Sequence, residues 1–148
     1  MINTKQQFKR KYQETFIHIC EGEKKGIQRL EEVCKTLDDD TLNKLMKSDE
    51  EEVLPPDWLT IITCFFNSTV EIQKYEGFNI PSKITADAIM ILFESPKPKT
   101  MKGIIELREY LDQISTPIPI ENVGWLHSSA NKQRMTILLF HDNKEIKK

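Results

Sequence analysis

The fold class depends on one strongly apolar stretch, Trp58-Leu-Thr-Ile-Ile-Thr-Cys-Phe-Phe-Asn-Ser-Thr-Val-Glu-Ile72. Its large side chains recur at helical spacing from Trp58 to Ile72, and Pro55-Pro56 just before it suits the first turn of a helix. A buried strand over Leu59–Phe66 is the alternative, because β-branched and aromatic residues are enriched there. The register persists well beyond the length of a strand. We therefore predict a helix over 58–72 at the centre of the core.

Two further segments of the chain are strongly apolar. Residues 83–94 place Ala86, Ile89, Met90 and Phe93 on one side of a helix, and we predict a second buried helix there. The run Met135–Phe140 fits a helix capped at Asn131, and it also fits a buried strand. We favour the helix.

Amphipathic stripes at spacings of three and four predict further helices. An acidic cluster, Asp38-Asp39-Asp40, ends one of these helices and caps the next. The stripes consist of Phe8, Tyr12, Phe16 and Ile19; Ile27, Leu30, Cys34 and Leu37; Leu42, Leu45 and Met46; and Ile104, Leu107, Leu111 and Ile114.

These segments together predict an all-α fold, an irregular bundle of about six or seven helices that includes antiparallel helix pairs. The alternative is an α+β fold with a C-terminal strand or hairpin near 118–140, since Pro117 and Pro119 force extended chain before them. Residues 121–130, around Gly124-Trp125, are expected to be irregular. The 148 residues suit a single helical domain, either alone or as the N-terminal domain of a longer protein.

Composition excludes several classes of protein. Lys and Arg number 21 against 23 Asp and Glu, giving a net charge of −2, whereas dedicated nucleic-acid domains usually carry a basic excess. Three widely spaced cysteines argue against a disulfide framework. The apolar runs are too short for a signal peptide or a membrane span. We expect an intracellular protein, cytoplasmic or nuclear, that is neither secreted nor associated with a membrane.

The sequence contains no catalytic or metal-binding motif. G-x-S-x-G, H-E-x-x-H and Gly-rich phosphate loops are missing, and Cys20 and Cys34 lack the paired spacing of zinc ligands. Cys64 could be combined with His127 or His141 as a nucleophile and base. However, Cys64 belongs to the most apolar predicted helix, where burial would leave it unreactive. We predict a protein that is not an enzyme and needs no metal or cofactor.

These exclusions favour a non-enzymatic protein–protein interaction module, an adaptor or scaffold that binds another protein or peptide. Trp125 would be either an exposed anchor or part of the core, and Pro117–Ile120 could dock as an extended segment. A homodimer through an apolar helix face is a further expectation. The candidate partner-binding residues are Ile17, Ile118, Ile120 and Trp125.

Two other functions remain open. A nucleic-acid-associated protein would use basic residues near both ends of the chain, and in the N-terminal segment Phe8 and Tyr12 are interleaved with these residues. An enzyme with an unrecognised site would require a deep polar pocket with strongly perturbed titratable groups. The candidate nucleic-acid-binding residues are Lys5, Lys9, Arg10, Lys11, Lys132 and Arg134.

Overall fold

The computed structural model of the chain describes residues 2–65, 69–80, 83–114, 120–127 and 133–141. Within these ranges the chain combines five helices with one four-stranded sheet, so the prediction of an all-α bundle of six or seven helices is wrong. In chain order the elements are α1 (Thr4–Cys20), α2 (Glu23–Thr36), α3 (Asp39–Glu50), α4 (Trp58–Phe65), β1 (Thr69–Glu76), β2 (Ala88–Ser95), α5 (Met101–Ile114), β3 (Ile120–His127) and β4 (Arg134–His141).

The sheet has the strand order β1-β4-β2-β3. β4 lies antiparallel to both β1 and β2, whereas β2 and β3 are parallel, with Ala88 opposite Ile120 and Ser95 opposite His127. Parallel neighbours need a crossover connection, and α5 supplies it between β2 and β3. The two central strands are therefore β4 and β2.

Helices cover both faces of the sheet. Every residue of β2 is buried, and its side chains alternate between two hydrophobic clusters. Met90 and Leu92 pack with side chains of α1–α4, while Ile91 and Phe93 pack with Leu107 and Leu111 of α5. The result is a three-layer arrangement with α1–α4 on one face of the sheet and α5 on the other.

The errors in the predicted secondary structure all concern strands. Residues 83–94, predicted as a helix, contain most of β2, and residues 135–140, also predicted as a helix, form most of β4. Strands covered on both faces are apolar throughout and show no alternation, so periodicity cannot separate them from buried helices. The expected irregular segment 121–130 contains most of β3. The segment 118–140 holds two strands, but β3 pairs with β2 and not with β4, so they do not form a hairpin.

The predicted helix over 58–72 is correct only in its first half. α4 runs from Trp58 to Phe65, and the chain has already entered β1 at Thr69. The amphipathic helices α1, α2, α3 and α5 are confirmed, with their central stripe residues buried. Asp38 caps α3 as expected, its side chain accepting the Thr41 backbone N–H at 2.8 Å. Among the described helices, none has both the length and the apolar character needed to cross a membrane.

α1 and α2 form a tight antiparallel hairpin. Glu21, in the left-handed conformation (φ 57°), ends α1, and α2 begins at Glu23. Gly26 faces the backbone of α1, where a Cβ would lie only 2.5 Å from Ile17 Cα and 2.7 Å from Ile17 N. The absence of a side chain at Gly26 therefore sets how closely the two helices approach.

We expect Gly26→Ala to destabilise the protein by about 1–3 kcal/mol, because the added methyl group overlaps backbone atoms that have little freedom to move. The helix-propensity gain of about 1 kcal/mol for replacing glycine by alanine opposes this loss only in part. The free energy of unfolding from urea denaturation measures the difference.

Gly22→Ala is the matched control, since a Cβ at Gly22 would have nothing within 4 Å. Its cost should stay below about 1 kcal/mol. Equal stability of Gly26→Ala and wild type would contradict the proposed backbone contact.

Candidate functional site

A groove of about 800 Å³ runs along α1 and α2. It is open to solvent. Lys24 and Lys35 lie eleven residues apart on α2, so this wall of the groove is about 16 Å long. The groove is lined by Lys5, Lys9, Lys24, Ile27, Gln28, Glu31, Glu32, Cys34 and Lys35.

The floor of the groove is apolar. Ile27 is half-buried and Cys34 is buried, with its Sγ 3.9 Å from the backbone carbonyl oxygen of Lys5. Burial raises the pKa of the Cys34 thiol, against the opposing influence of Lys9 and Lys5. The thiol therefore stays protonated and serves as a small apolar surface.

The rim of the groove is positively charged, although the whole chain carries a net charge of −2. Lys9 Nζ lies 3.7 Å from Glu31, and Glu32 pairs with Arg29 Nε at 2.9 Å. The groove has three other lysines, Lys5, Lys24 and Lys35. None of them has a carboxylate within ion-pair distance in the described part of the chain.

The structure brings together only part of the predicted nucleic-acid set. Lys5 and Lys9 line the groove, whereas Lys11 pairs with Glu50 at 2.9 Å. Arg10 is exposed on α1, and Arg134 lines a separate pocket at one end of the sheet. Lys132 lies outside the described residues.

Sequence reasoning missed the α2 side of the groove. Lys24, Gln28, Glu31 and Lys35 recur at helical spacing with Ile27 among them, so the face was readable from the sequence. What the sequence did not show is that Lys5 and Lys9 of α1 lie beside it.

The candidate partner-binding residues lie apart from the groove. Ile17 is half-buried and contributes its backbone to the contact with Gly26. The Trp125 ring is half-buried 4.7 Å from the ring of Phe93, in the cluster on the α5 side of the sheet. Its indole N–H is buried without an acceptor among the described residues. Ile120 begins β3, and Ile118 lies outside the described residues.

A second polar site lies where α3 meets one end of the sheet. Lys44 Nζ is 2.6 Å from the buried Glu94 and 3.0 Å from Asp40. Lys74 Nζ is 2.7 Å from Asp38 and 3.3 Å from Asp40. The adjoining pocket of about 230 Å³ also includes Arg134 and Thr136 among its lining residues.

The pKa values in this cluster move in the directions that keep its groups charged. Burial raises the pKa of Asp38, but hydrogen bonds from Lys74 and Thr41 outweigh it and lower that pKa to about 2. Burial likewise opposes the effect of Lys44 and Lys74 on Asp40, whose pKa is lowered. The pKa of Lys74 is raised by Asp38 and Asp40 despite partial burial. The cluster is thus a set of ion pairs, and these shifts take Asp38, Asp40 and Lys74 away from the near-neutral pKa that suits acid–base catalysis.

Cys64, the nucleophile considered in the sequence analysis, does not lie in the environment expected of it. Cys64 is exposed, so the prediction that it is buried in the core is wrong. His127 Nε2 lies 3.0 Å from the Pro96 carbonyl oxygen, and His141 Nε2 lies 3.8 Å from Glu71. Among the described residues, no three His, Cys, Asp or Glu side chains are grouped so that they could hold a metal ion.

Comparison of the chain with protein-family models, curated proteins and solved structures finds no match in any of the three. Function is therefore inferred from the geometry of the site alone.

We expect Asp38→Asn to reduce the loss of stability on acidification. A carboxyl whose pKa is lowered on folding stabilises the protein above its unfolded pKa of about 4, and this contribution is lost as the pH falls towards 2. Asparagine retains the N-cap but not the ion pair with Lys74. The free energy of unfolding, measured by urea denaturation between pH 5 and pH 2 (about the range of the two pKa values), should fall less steeply with pH in the variant than in wild type.

Asp39→Asn is the control, since it removes a carboxylate from the same turn of α3 that pairs with no cation among the described residues. Identical slopes for the Asp38→Asn and Asp39→Asn variants would argue against the Asp38–Lys74 contribution.

Proposed function

We propose that the chain is a protein-interaction module whose α1–α2 groove binds an acidic, amphipathic segment of a partner protein. One observation supports this proposal above the others. An apolar floor formed by Ile27 and Cys34 is flanked by Lys5, Lys24 and Lys35, whose charges have no carboxylate partner in the described structure.

The groove has the dimensions of a peptide site. A wall of about 16 Å accommodates about three turns of helix or about five extended residues. An amphipathic helix would place apolar side chains on Ile27 and Cys34 and acidic side chains beside the lysines. Both chemical features of the groove would then be matched by one occupant.

The charges would supply orientation and the floor would supply most of the affinity. Exposed ion pairs contribute only about 0.2–1 kcal/mol each, because solvent screens them. Burial of apolar surface on the floor contributes about 25 cal/mol per Å². Complementary charge at the rim chiefly selects acidic partners and raises the association rate.

The groove is less suited to nucleic acid than to an acidic peptide. Glu31 and Glu32 lie within it and would oppose a phosphate backbone, and the apolar floor would have nothing to contact. The basic residues from the two ends of the chain do not meet in one site among the described residues. Lys5 and Lys9 line the groove, whereas Arg134 lines the pocket at one end of the sheet.

The decisive test is binding of labelled probes measured by fluorescence anisotropy. The first probe is a synthetic helix with leucine on one face and glutamate on the other, and the second has lysine in place of glutamate. The third is a single-stranded oligonucleotide. We expect the acidic helix to bind at least tenfold more tightly than the other two.

We expect Lys5→Glu combined with Lys24→Glu to weaken the acidic helix about tenfold or more. Two charge reversals of about 0.7 kcal/mol each give that factor. Both residues lie in the first turn of their helices, where an acidic residue suits the helix dipole, so the fold should be retained. Ile27→Ser should weaken binding independently of charge.

Lys102→Glu is the matched control, an exposed first-turn lysine of α5 on the opposite face of the sheet. Equal losses in Lys102→Glu and the groove variant would reject the groove as the binding site. Preferential, salt-sensitive binding of the oligonucleotide would instead favour the nucleic-acid alternative.

A further inference from the structure

Two of the three cysteines share a second pocket, of about 440 Å³, on an adjoining face of α2. Cys20 is the last residue of α1 and is partly buried, and Cys64 is exposed near the end of α4. Both are free thiols. Lys25, Arg29 and Thr63 are among the other residues of the wall.

The packing of α1 against α4 brings the two thiols to the same pocket. The rings of Tyr12 and Trp58 meet edge to face with centroids 5.5 Å apart. Both rings also donate to Asp49, at 2.8 Å from Tyr12 Oη and 3.2 Å from Trp58 Nε1. Cys20 lies eight residues after Tyr12, about 12 Å further along α1, and Cys64 lies six residues after Trp58, about 9 Å further along α4.

α2 ties the end of α4 to the same pocket. The Arg29 guanidinium donates a hydrogen bond to the carbonyl oxygen of Thr63, directly before Cys64. Arg29 also pairs with Glu32 at 2.9 Å. The wall that carries Cys64 is therefore held in place from two directions, by α1 and by α2.

We infer that Cys20 and Cys64 form a thiol–disulfide exchange site for small anionic disulfides. Cys64, the more exposed of the two residues, is the attacking thiol, and Cys20 is the resolving thiol. Lys25 supplies positive charge for a carboxylate of such a molecule, and Arg29, which is paired with Glu32 of the same wall, would contribute by exchanging that partner. The volume lies within the range of about 300–1,000 Å³ that is typical of small-molecule sites. This inference is independent of the proposed function of the groove.

The exchange is balanced in two steps. The Cys64 sulfur loses its proton and attacks one sulfur of the small disulfide, whose S–S bond breaks. The first small thiolate leaves and takes up that proton. The Cys20 sulfur, deprotonated in turn, attacks the Cys64 sulfur of the mixed disulfide, and the second small thiol departs with the Cys20 proton. Two protein thiols are oxidised to one disulfide, and one small disulfide is reduced to two thiols.

Cys34 provides an internal reference. It is buried, it lines the α1–α2 groove instead, and burial raises the pKa of its thiol. A reaction that depends on the shared pocket should leave Cys34 unmodified while the protein is folded. A reaction that depends on transient unfolding should modify all three cysteines.

The test uses the full chain in buffers with increasing ratios of oxidised to reduced glutathione, followed by alkylation and mass mapping of the disulfides. We expect wild type to form an internal Cys20–Cys64 disulfide. Cys20→Ser should instead accumulate glutathione on Cys64, because the resolving thiol is missing. Cys64→Ser should stay largely reduced, and Cys34 should stay unmodified in wild type and in both variants.

The rates of reaction with an anionic and a cationic disulfide provide a second measurement. Oxidised glutathione should react several-fold faster than cystamine, a cationic disulfide, and Lys25→Glu should diminish that preference. Lys25 lies in the first turn of α2, where glutamate suits the helix dipole. The inference is overturned if wild type accumulates separate glutathione adducts on Cys20 and Cys64, if no Cys20–Cys64 disulfide forms, or if cystamine reacts as fast as glutathione.

Discussion

The burial of β2 on both faces is the constraint on which the rest of the structure depends. All eight of its residues, Ala88–Ser95, are buried, so apolar layers are required above and below, and both edges need a hydrogen-bonding neighbour. β4 and β3 supply the neighbours, and α1–α4 and α5 supply the layers. The one charged residue of the strand, Glu94, is only 5% exposed and is paired with Lys44 of α3. Since a buried charge without a partner is costly, loss of Lys44 would destabilise the packing of α3 on the sheet.

The same constraint explains which parts of the fold could be predicted. The amphipathic helices could be predicted because each has one buried face and one face in water. The buried stripe Phe8, Tyr12 and Phe16 indicated α1, and the cap at Asp38 indicated the start of α3. β2 and β4 have no polar face and therefore carry no periodic signal. In β1, Val70 and Ile72 alternate with polar residues, but the same two side chains also continued the helical register begun at Trp58. Only tertiary contacts with β4 resolve that ambiguity.

The candidate sites were less predictable than the helices because each depends on two elements meeting. Lys5 and Lys9 were identified from local charge, whereas their position beside α2 depends on the contact between Gly26 and the backbone at Ile17. Cys64 was assigned to the core from the apolar character of its helix. α4 ends one residue later, and the side chain at that position meets solvent instead of the sheet. Apolar composition describes a helix as a whole and does not assign each of its positions.

α2 forms a wall of both the groove and the thiol pocket. Gln28 and Glu32 line both, and the Arg29–Glu32 ion pair lies at their boundary. An anion that pairs with Arg29 in the thiol pocket competes with Glu32 for the same guanidinium. A Glu32 carboxylate without its partner would add negative charge to the groove and oppose an acidic occupant there. Because coupling between two binding equilibria is reciprocal, an acidic occupant of the groove would oppose an anion in the thiol pocket to the same extent. One ion pair on one helix would therefore be enough to couple the two proposed sites.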